Sequence, residues 1–357
     1  MSDSKLTGFN LPDHKFRQVE LVHRFSENGP KRPTLLCKRC WDENTTQAFL
    51  SNTFEDMQLS PCDGRLDIPP LGNKALSVKA LVIDGPGVVT GLEQFRALEN
   101  LYIDSFPENG IDFKAFDKLQ HISTDWDKRF IKDIFAYKNL QGLDVYEGFP
   151  DEDCLRYSVL PNLTYVGFTQ GRIKSLNGLE ACPNLESIGL AMSRNFSDLG
   201  DLTQFKNFHI LTLISLPKLN WNVELTALKK LRTIHLQSLP TLEGVVGFTG
   251  LTSMEEISIL ECKRVIVDLS AIGQMPNLRK LHLNIPHVNL DLNALFSRKF
   301  IKIFQCKELG DLAESDVALI KRAEQHGRKI TQISRPGPKK SRFVTVFFDH
   351  YEKRGFQ

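Results

Sequence analysis

Residues 97–106 read ALENLYIDSF, with apolar Leu98, Leu101 and Ile103 set three and then two positions apart. A helix would keep a spacing of three and four, and a half-buried strand a spacing of two. The mixed rhythm, apolar-x-x-apolar-x-apolar, recurs down the chain. It reads VKALVI at 78–83, LENLYI at 98–103, LQHIST at 119–124 (Thr124 in the last apolar slot), LQGLDV at 140–145 and LTYVGF at 163–168. LESIGL at 185–190, FHILTL at 208–213, LRTIHL at 231–236, MEEISI at 254–259 and LRKLHL at 278–283 continue it. The central apolar residues are Leu81, Leu101, Ile122, Leu143, Val166, Ile188, Leu211, Ile234, Ile257 and Leu281, spaced by 20 to 24 residues. FIKIF at 300–304 adds an eleventh register that drifts.

Such a period means a stack of coils, because one coil cannot bury its apolar side alone. Each coil enters from a turn and becomes a short strand, which explains the change of rhythm. Leu98, Leu101 and Ile103 then face the core, and Asn100, Tyr102 and Asp104 face outward. Between strands the apolar residues fall every third position, as in Ile173, Leu176, Leu179 and Cys182, or Leu199, Leu202, Phe205 and Phe208, or Leu225, Leu228 and Leu231. Period three predicts short 3₁₀ segments. PNL at 161–163, 183–185 and 276–278 ends such a segment before the next strand. The 24 phenylalanines are expected to fill the core between coils.

This organisation resembles the leucine-rich repeat family, in the class of about 22 residues per repeat that includes bacterial internalin-type and related intracellular proteins. The resemblance covers residues 76–305 and implies a right-handed α/β solenoid, a horseshoe with a parallel concave sheet, capped at both ends. It is specific for fold and nearly silent on function. The family usually places Asn or Cys three residues after the last strand apolar. Here those positions hold Pro86, Phe106, Asp127, Gly148, Gly171, Ser193, Leu216, Leu239, Cys262 and Pro286, so the coils are expected to close with irregular turns.

Residues 1–75 then form an N-terminal cap region, with a partly helical stretch at 45–59 and an extended entry at 67–71. Residues 306–357 form the C-terminal cap. Ser315 would open a helix over 316–326 with Val317, Ile320 and Ala323 on one face, and Gly327 would stop it. A basic linker follows at 333–342, then RFVTVFFDHY at 342–351, a strand apolar on both sides. Such a strand wants cover. It either folds back on the last coils, leaving a monomer, or pairs between chains as a dimerising scaffold.

The chemistry narrows function mainly by exclusion. A net charge of +2 gives no argument for nucleic acid, and no apolar run is long enough to span a membrane. Seven cysteines at irregular positions and no apolar leader suit a reducing cytoplasm. Glycine-rich phosphate loops, HExxH and GxSxG are absent, and no cofactor is expected. Cys37 and Cys40 form a CxxC pair, but zinc would need Cys62 and His23 as well, and unrelated thiols are the simpler reading. A small enzyme or zinc function in residues 1–75 is the alternative that this pair keeps open.

The position after each strand's last apolar residue reads Asp84, Asp104, Asp125, Tyr146, Thr169, Ala191, Ile214, Gln237, Leu260 and Asn284. Aspartate there is a common turn former, and Asp84 before Gly85 suits that role. Three in register are different, since neighbouring strands lie about 4.8 Å apart and like charges at that distance repel by roughly 1 kcal/mol in water. Asp84, Asp104 and Asp125 could share a divalent ion, but they lack the close ligand spacing of a calcium loop. The other outward columns add Tyr102, Asp144, His121 and Tyr165, so three of six tyrosines (Tyr102, Tyr146, Tyr165) stand on this half of the sheet. Tyrosine beside aspartate on a rigid face is the make-up of a protein-binding surface. The C-terminal half, with Thr233, His235, Glu256, Ser258, Lys280 and His282, is blander. The expectation is a non-catalytic module that holds a basic protein partner on Asp84, Tyr102, Asp104, His121, Asp125, Asp144, Tyr146 and Tyr165. An inhibitor or immunity protein that neutralises a toxin would fit.

Overall fold

In the computed structural model, the described residues are 34–37, 41–61, 63–129, 134–285, 287–290, 294, 303–306, 316–327, 329–334 and 344–348. They fall into two compact units. Unit 1 runs to Pro150 and takes in Leu155–Gly171; unit 2 comprises Asp151–Cys154 and the chain from Arg172 to Lys353.

Unit 1 opens with strand β1 (Thr34–Cys37), helix α1 (Glu43–Ser51) and strand β2 (Asp56–Leu59). Asp42 caps the helix by accepting from the Thr45 amide at 2.7 Å. Strands β3 (Arg65–Asp67) and β5 (Val88–Thr90) pair with each other in a small side sheet. The main ladder continues through β4 (Ala80–Ile83), β6 (Asn100–Ile103), β7 (His121–Thr124), β8 (Gly142–Val145) and β9 (Tyr165–Thr169). Its order is β1-β2-β4-β6-β7-β8-β9, every pair parallel.

The register read from the sequence is the one found. Leu81 pairs with Leu101, Leu101 with Ile122, Ile122 with Leu143 and Leu143 with Val166. All five are fully buried. The ladder also reaches back before residue 76, with Leu35 opposite Met57 and Met57 opposite Leu81. An aromatic cluster of Trp126, Phe135, Phe149, Tyr157 and Phe168 fills the core beside β8 and β9, with ring centroids 5.0–6.3 Å apart. The guanidinium of Arg156 lies 5.3 Å above the Trp126 ring.

Unit 2 carries β10 (Ser187–Ala191), β11 (Ile210–Ile214), β12 (Thr233–Gln237), β14 (Glu256–Leu260), β16 (Lys280–Asn284) and β18 (Ile303–Cys306) as a parallel ladder. A second parallel sheet on these coils is formed by β13 (Glu243–Gly247), β15 (Arg264–Leu269) and β17 (His287–Leu290). Ile188, Leu211, Ile234, Ile257 and Leu281 face one another in sequence and are fully buried. The period-three segments are the expected 3₁₀ turns, at Leu179–Ala181, Leu202–Gln204 and Leu225–Ala227.

The closing turns of unit 2 correct an expectation, because they are uniform. Met192, Ser215, Ser238 and Glu261, one per coil, all adopt left-handed backbone with φ between 50° and 59°. Each donates its amide to the carbonyl at the end of the next strand: Met192 to Ile214, Ser215 to Gln237, Ser238 to Leu260 and Glu261 to Asn284, at 2.7–2.9 Å. The following residue turns inward, so Ser193, Leu216, Leu239 and Cys262 are buried. Unit 1 is less regular: Gly85 and Gln170 have positive φ, whereas Ser105, Trp126 and Glu147 do not.

Helix α2 (Asp316–Gln325) forms where expected, and Gly327 ends it with φ +67°. Ala323 is buried, whereas Ile320 on the same expected face is exposed. Strands β19 (Ile330–Ser334) and β20 (Val344–Phe348) follow. β20 lies between β18 and β19 and pairs antiparallel with both. The terminal strand therefore folds back, and both of its hydrogen-bonding edges are taken within the chain. The expected Ser315 cap and the basic run at 335–342 lie outside the described residues.

Candidate functional site

The outward positions of β2, β4, β6, β7, β8 and β9, with the residue after each strand, form three columns on the sheet of unit 1. The first reads Asp56, Ala80, Asn100, His121, Gly142 and Tyr165, the middle Gln58, Val82, Tyr102, Ser123, Asp144 and Gly167, and the last Ser60, Asp84, Asp104, Asp125, Tyr146 and Thr169. Five of these residues are aspartates (Asp56, Asp84, Asp104, Asp125, Asp144) and none is Lys or Arg.

The last column keeps to the ladder. The Asp84 amide donates to the Leu59 carbonyl at 2.8 Å and the Asp104 amide to the Ile83 carbonyl at 2.9 Å. Asp84 does not use its side chain to close its own turn. Its Oδ2 accepts from Nε2 of Gln58 on the neighbouring strand at 3.2 Å, and Gly85, with φ +96°, makes the turn. Asp104 and Asp125 are half-buried, and their carboxylates follow Asp84 on successive strands. Among the described residues no group of three or more His, Cys, Asp or Glu side chains could hold a metal ion.

The candidate residues differ in exposure. Asp84, Asp104, His121, Asp125 and Tyr165 are half-buried. Tyr102, Asp144 and Tyr146 are only 4%, 3% and 5% exposed, so they give a partner little surface of their own. Tyr165 donates its hydroxyl to Oδ2 of Asp144 at 2.8 Å, across the β8–β9 pair. Both groups lean over Gly167. A Cβ there would fall 1.6 Å from Oδ1 of Asp144 and 2.5 Å from the Tyr165 hydroxyl. Gly167 is thus a part of this arrangement that the sequence reading passed over. The available signal was a glycine in an outward column of a strand, where glycine is disfavoured.

The same columns in unit 2 offer a different surface. Ala191, Ile210, Ile214 and Leu260 are apolar, and Thr212, Thr233, Gln237, Ser258 and Asn284 are neutral. The two charged residues, Glu256 and Lys280, face each other in register with Nζ 3.4 Å from Oε2. His235 Nε2 lies 3.3 Å from Oε1 of Gln237.

Buried thiols punctuate both units. Cys37 is buried on β1, while Cys40, Cys62 and His23 lie outside the described residues. Burial, with the nearby Glu180 carboxylate, pushes the Cys182 thiol up to about 11, and Cys154 is raised by burial first and then by Asp153. These are inert core thiols rather than nucleophiles. No helix among the described residues is long and apolar enough to cross a membrane.

No family model matches the chain, and no curated protein matches it. Solved structures similar to it include an internalin, InlF, from Listeria monocytogenes strain 4b F2365, at 14% identity over 74% of this chain and 84% of that chain, with TM-score 0.44. The leucine-rich-repeat protein LIC12759 of Leptospira interrogans is 14% identical over 74% of this chain and 80% of that one, TM-score 0.38. The functional domain of InlJ from Listeria monocytogenes, which includes a cysteine ladder, is 14% identical over 86% and 82%, TM-score 0.37. Coil length, one parallel strand per coil and 3₁₀ returns make the architecture of this chain that of a leucine-rich-repeat solenoid.

Proposed function

We propose that this chain is a non-catalytic binding protein that holds a basic protein partner on the acidic sheet face of unit 1. The observation that carries the reading is the charge of that face: five aspartates, no Lys or Arg, and Asp84, Asp104 and Asp125 on three successive strands. Holding like charges this close costs stability unless a positive group comes near. A basic partner repays it, because opposite charge speeds encounter and fixes orientation while the half-buried Tyr165 supplies contact area. A cytoplasmic inhibitor, for example an immunity protein that neutralises a basic toxin, would work in this way.

The test is capture of partners by wild type beside a chain carrying Asp84→Lys, Asp104→Lys and Asp125→Lys, with folding of both checked by circular dichroism. Specific partners retained by wild type are expected to be lost from the variant. Equal retention by both chains would remove the acidic face from the account.

A further inference from the structure

Asparagine followed by glycine is prone to cyclise, because glycine has no side chain to hinder attack of its amide nitrogen on the asparagine carboxamide. The chain has three such dipeptides: Asn28–Gly29, which lies outside the described residues, Asn109–Gly110 and Asn177–Gly178. Both described pairs stand in tight turns, but their side chains are held very differently.

Asn109 is fixed at both ends of its carboxamide. Its Oδ1 accepts from the Val89 amide at 3.0 Å and its Nδ2 donates to the Val89 carbonyl at 2.7 Å. The Gly110 amide donates to the Pro107 carbonyl at 2.9 Å. Moving Cγ of Asn109 onto the Gly110 nitrogen would break both side-chain bonds and open the turn. Asn177 is exposed, and among the described residues nothing hydrogen-bonds its side chain. Its turn is closed by the Leu179 amide on the Leu176 carbonyl at 3.1 Å, with Gly178 at φ +104°. Gly178 is buried, and its amide donates to Oε2 of Glu180 at 2.7 Å. A carboxylate thus already holds the proton that ring closure must release, at the distance a general base needs.

We propose that Asn177 is a site of spontaneous covalent modification, a deamidation in which Glu180 is the proton acceptor. The Asn177 main chain rotates within its turn, and the Gly178 nitrogen bonds to Cγ of Asn177 as its proton passes to Glu180. The bond from Cγ to the carboxamide nitrogen breaks, and ammonia leaves with that proton. Water then opens the resulting succinimide at either carbonyl, giving aspartate or isoaspartate, with no change of oxidation state. The product adds a carboxylate near Glu180. Isoaspartate also lengthens the main chain at the carbonyl that holds the Cys154 amide at 2.7 Å, so the 151–154 segment of unit 2 loses that anchor. The inference is independent of what the sheet of unit 1 binds.

The test is to incubate the full-length chain at body temperature and mildly alkaline pH and to follow both asparagines by peptide mapping and mass spectrometry. In the folded chain Asn177 should convert first, and Asn109 about tenfold or more slowly, because it must first give up its bonds to Val89. In urea, where both turns are lost, the two rates should agree within about twofold. Glu180→Gln keeps an acceptor for the Gly178 amide but is no base, so it should slow Asn177 about threefold or more in the folded chain. Glu180 is exposed, folding of the variant is checked by circular dichroism, and Glu180→Ala is the second variant should glutamine disturb it. Asn109 converting as fast as Asn177 in the folded chain, Asn177 converting only in urea, or Glu180 variants converting as fast as wild type would each overturn the proposal.

Discussion

The two units share one repeat and one register but spend their outward positions differently. Unit 1 gathers Asp56, Asp84, Asp104, Asp125 and Asp144 on its sheet, with no Lys or Arg in the same three columns. Unit 2 carries one acid and one base there, Glu256 and Lys280, and sets them against each other. The closing turns differ in the opposite sense. Unit 2 repeats one left-handed turn four times, with the same forward hydrogen bond. Unit 1 departs from it at Ser105, Trp126 and Glu147. A solenoid needs regularity only to stack.

Substitutions that act oppositely in the two units test that contrast. The largest effect is expected at Gly167. Gly167→Ala would drive a methyl into the Asp144 carboxylate and the Tyr165 hydroxyl, costing about 2–3 kcal/mol. Combining it with Asp144→Gly should recover more than half of that loss in urea denaturation, since the clash is with that side chain. Additive losses would mean that Gly167 matters for another reason.

A smaller effect attends the turns. Ser215→Gly in unit 2 should raise stability by about 0.5–1 kcal/mol, because glycine adopts the left-handed backbone without the penalty of a side chain. Ser105→Gly, at the corresponding place in unit 1, should lower stability by a similar amount, since its φ is not left-handed. Equal signs in the two units would show that the turns do not differ as described.

The smallest effect is electrostatic. Asp84→Asn, whose amide oxygen can still accept from Gln58, removes one of three like charges and should stabilise the chain by up to about 1 kcal/mol in low salt, fading in high salt. Glu256→Gln in unit 2 removes one partner of the half-buried pair with Lys280 and should destabilise by about 0.5 kcal/mol. Paired melts at low and high ionic strength would show the opposite signs.

Much of the fold was legible because it repeats. Ten central residues, from Leu81 to Leu281, mark the ladder, and each is buried where its spacing puts it. The first two strands escaped notice for a local reason. FEDMQL at 54–59 has the right rhythm but follows the helix over Glu43–Ser51, and Leu35–Leu36 is too short an apolar run to show a period. The uniform turns were hidden because Met192, Ser215, Ser238 and Glu261 share no one residue type; what they share is the forward hydrogen bond to a residue 22 or 23 positions later. The aspartate column was legible from spacing alone. How far Tyr102 and Tyr146 are withdrawn was not, since a periodicity gives direction and not depth. Gly167 was missed because a missing side chain has no periodic signature, and its reason sits 23 residues earlier at Asp144.

The most direct measurement of the central claim sets two charge-altered chains beside wild type in one capture experiment. Asp84→Lys with Asp104→Lys and Asp125→Lys changes unit 1; Gln237→Lys with Leu260→Lys and Asn284→Lys makes the matching change in unit 2. The account predicts that the unit 1 variant loses the partner, by tenfold or more in apparent affinity, and that the unit 2 variant keeps it within about twofold. Loss from the unit 2 variant with retention by the unit 1 variant would contradict it.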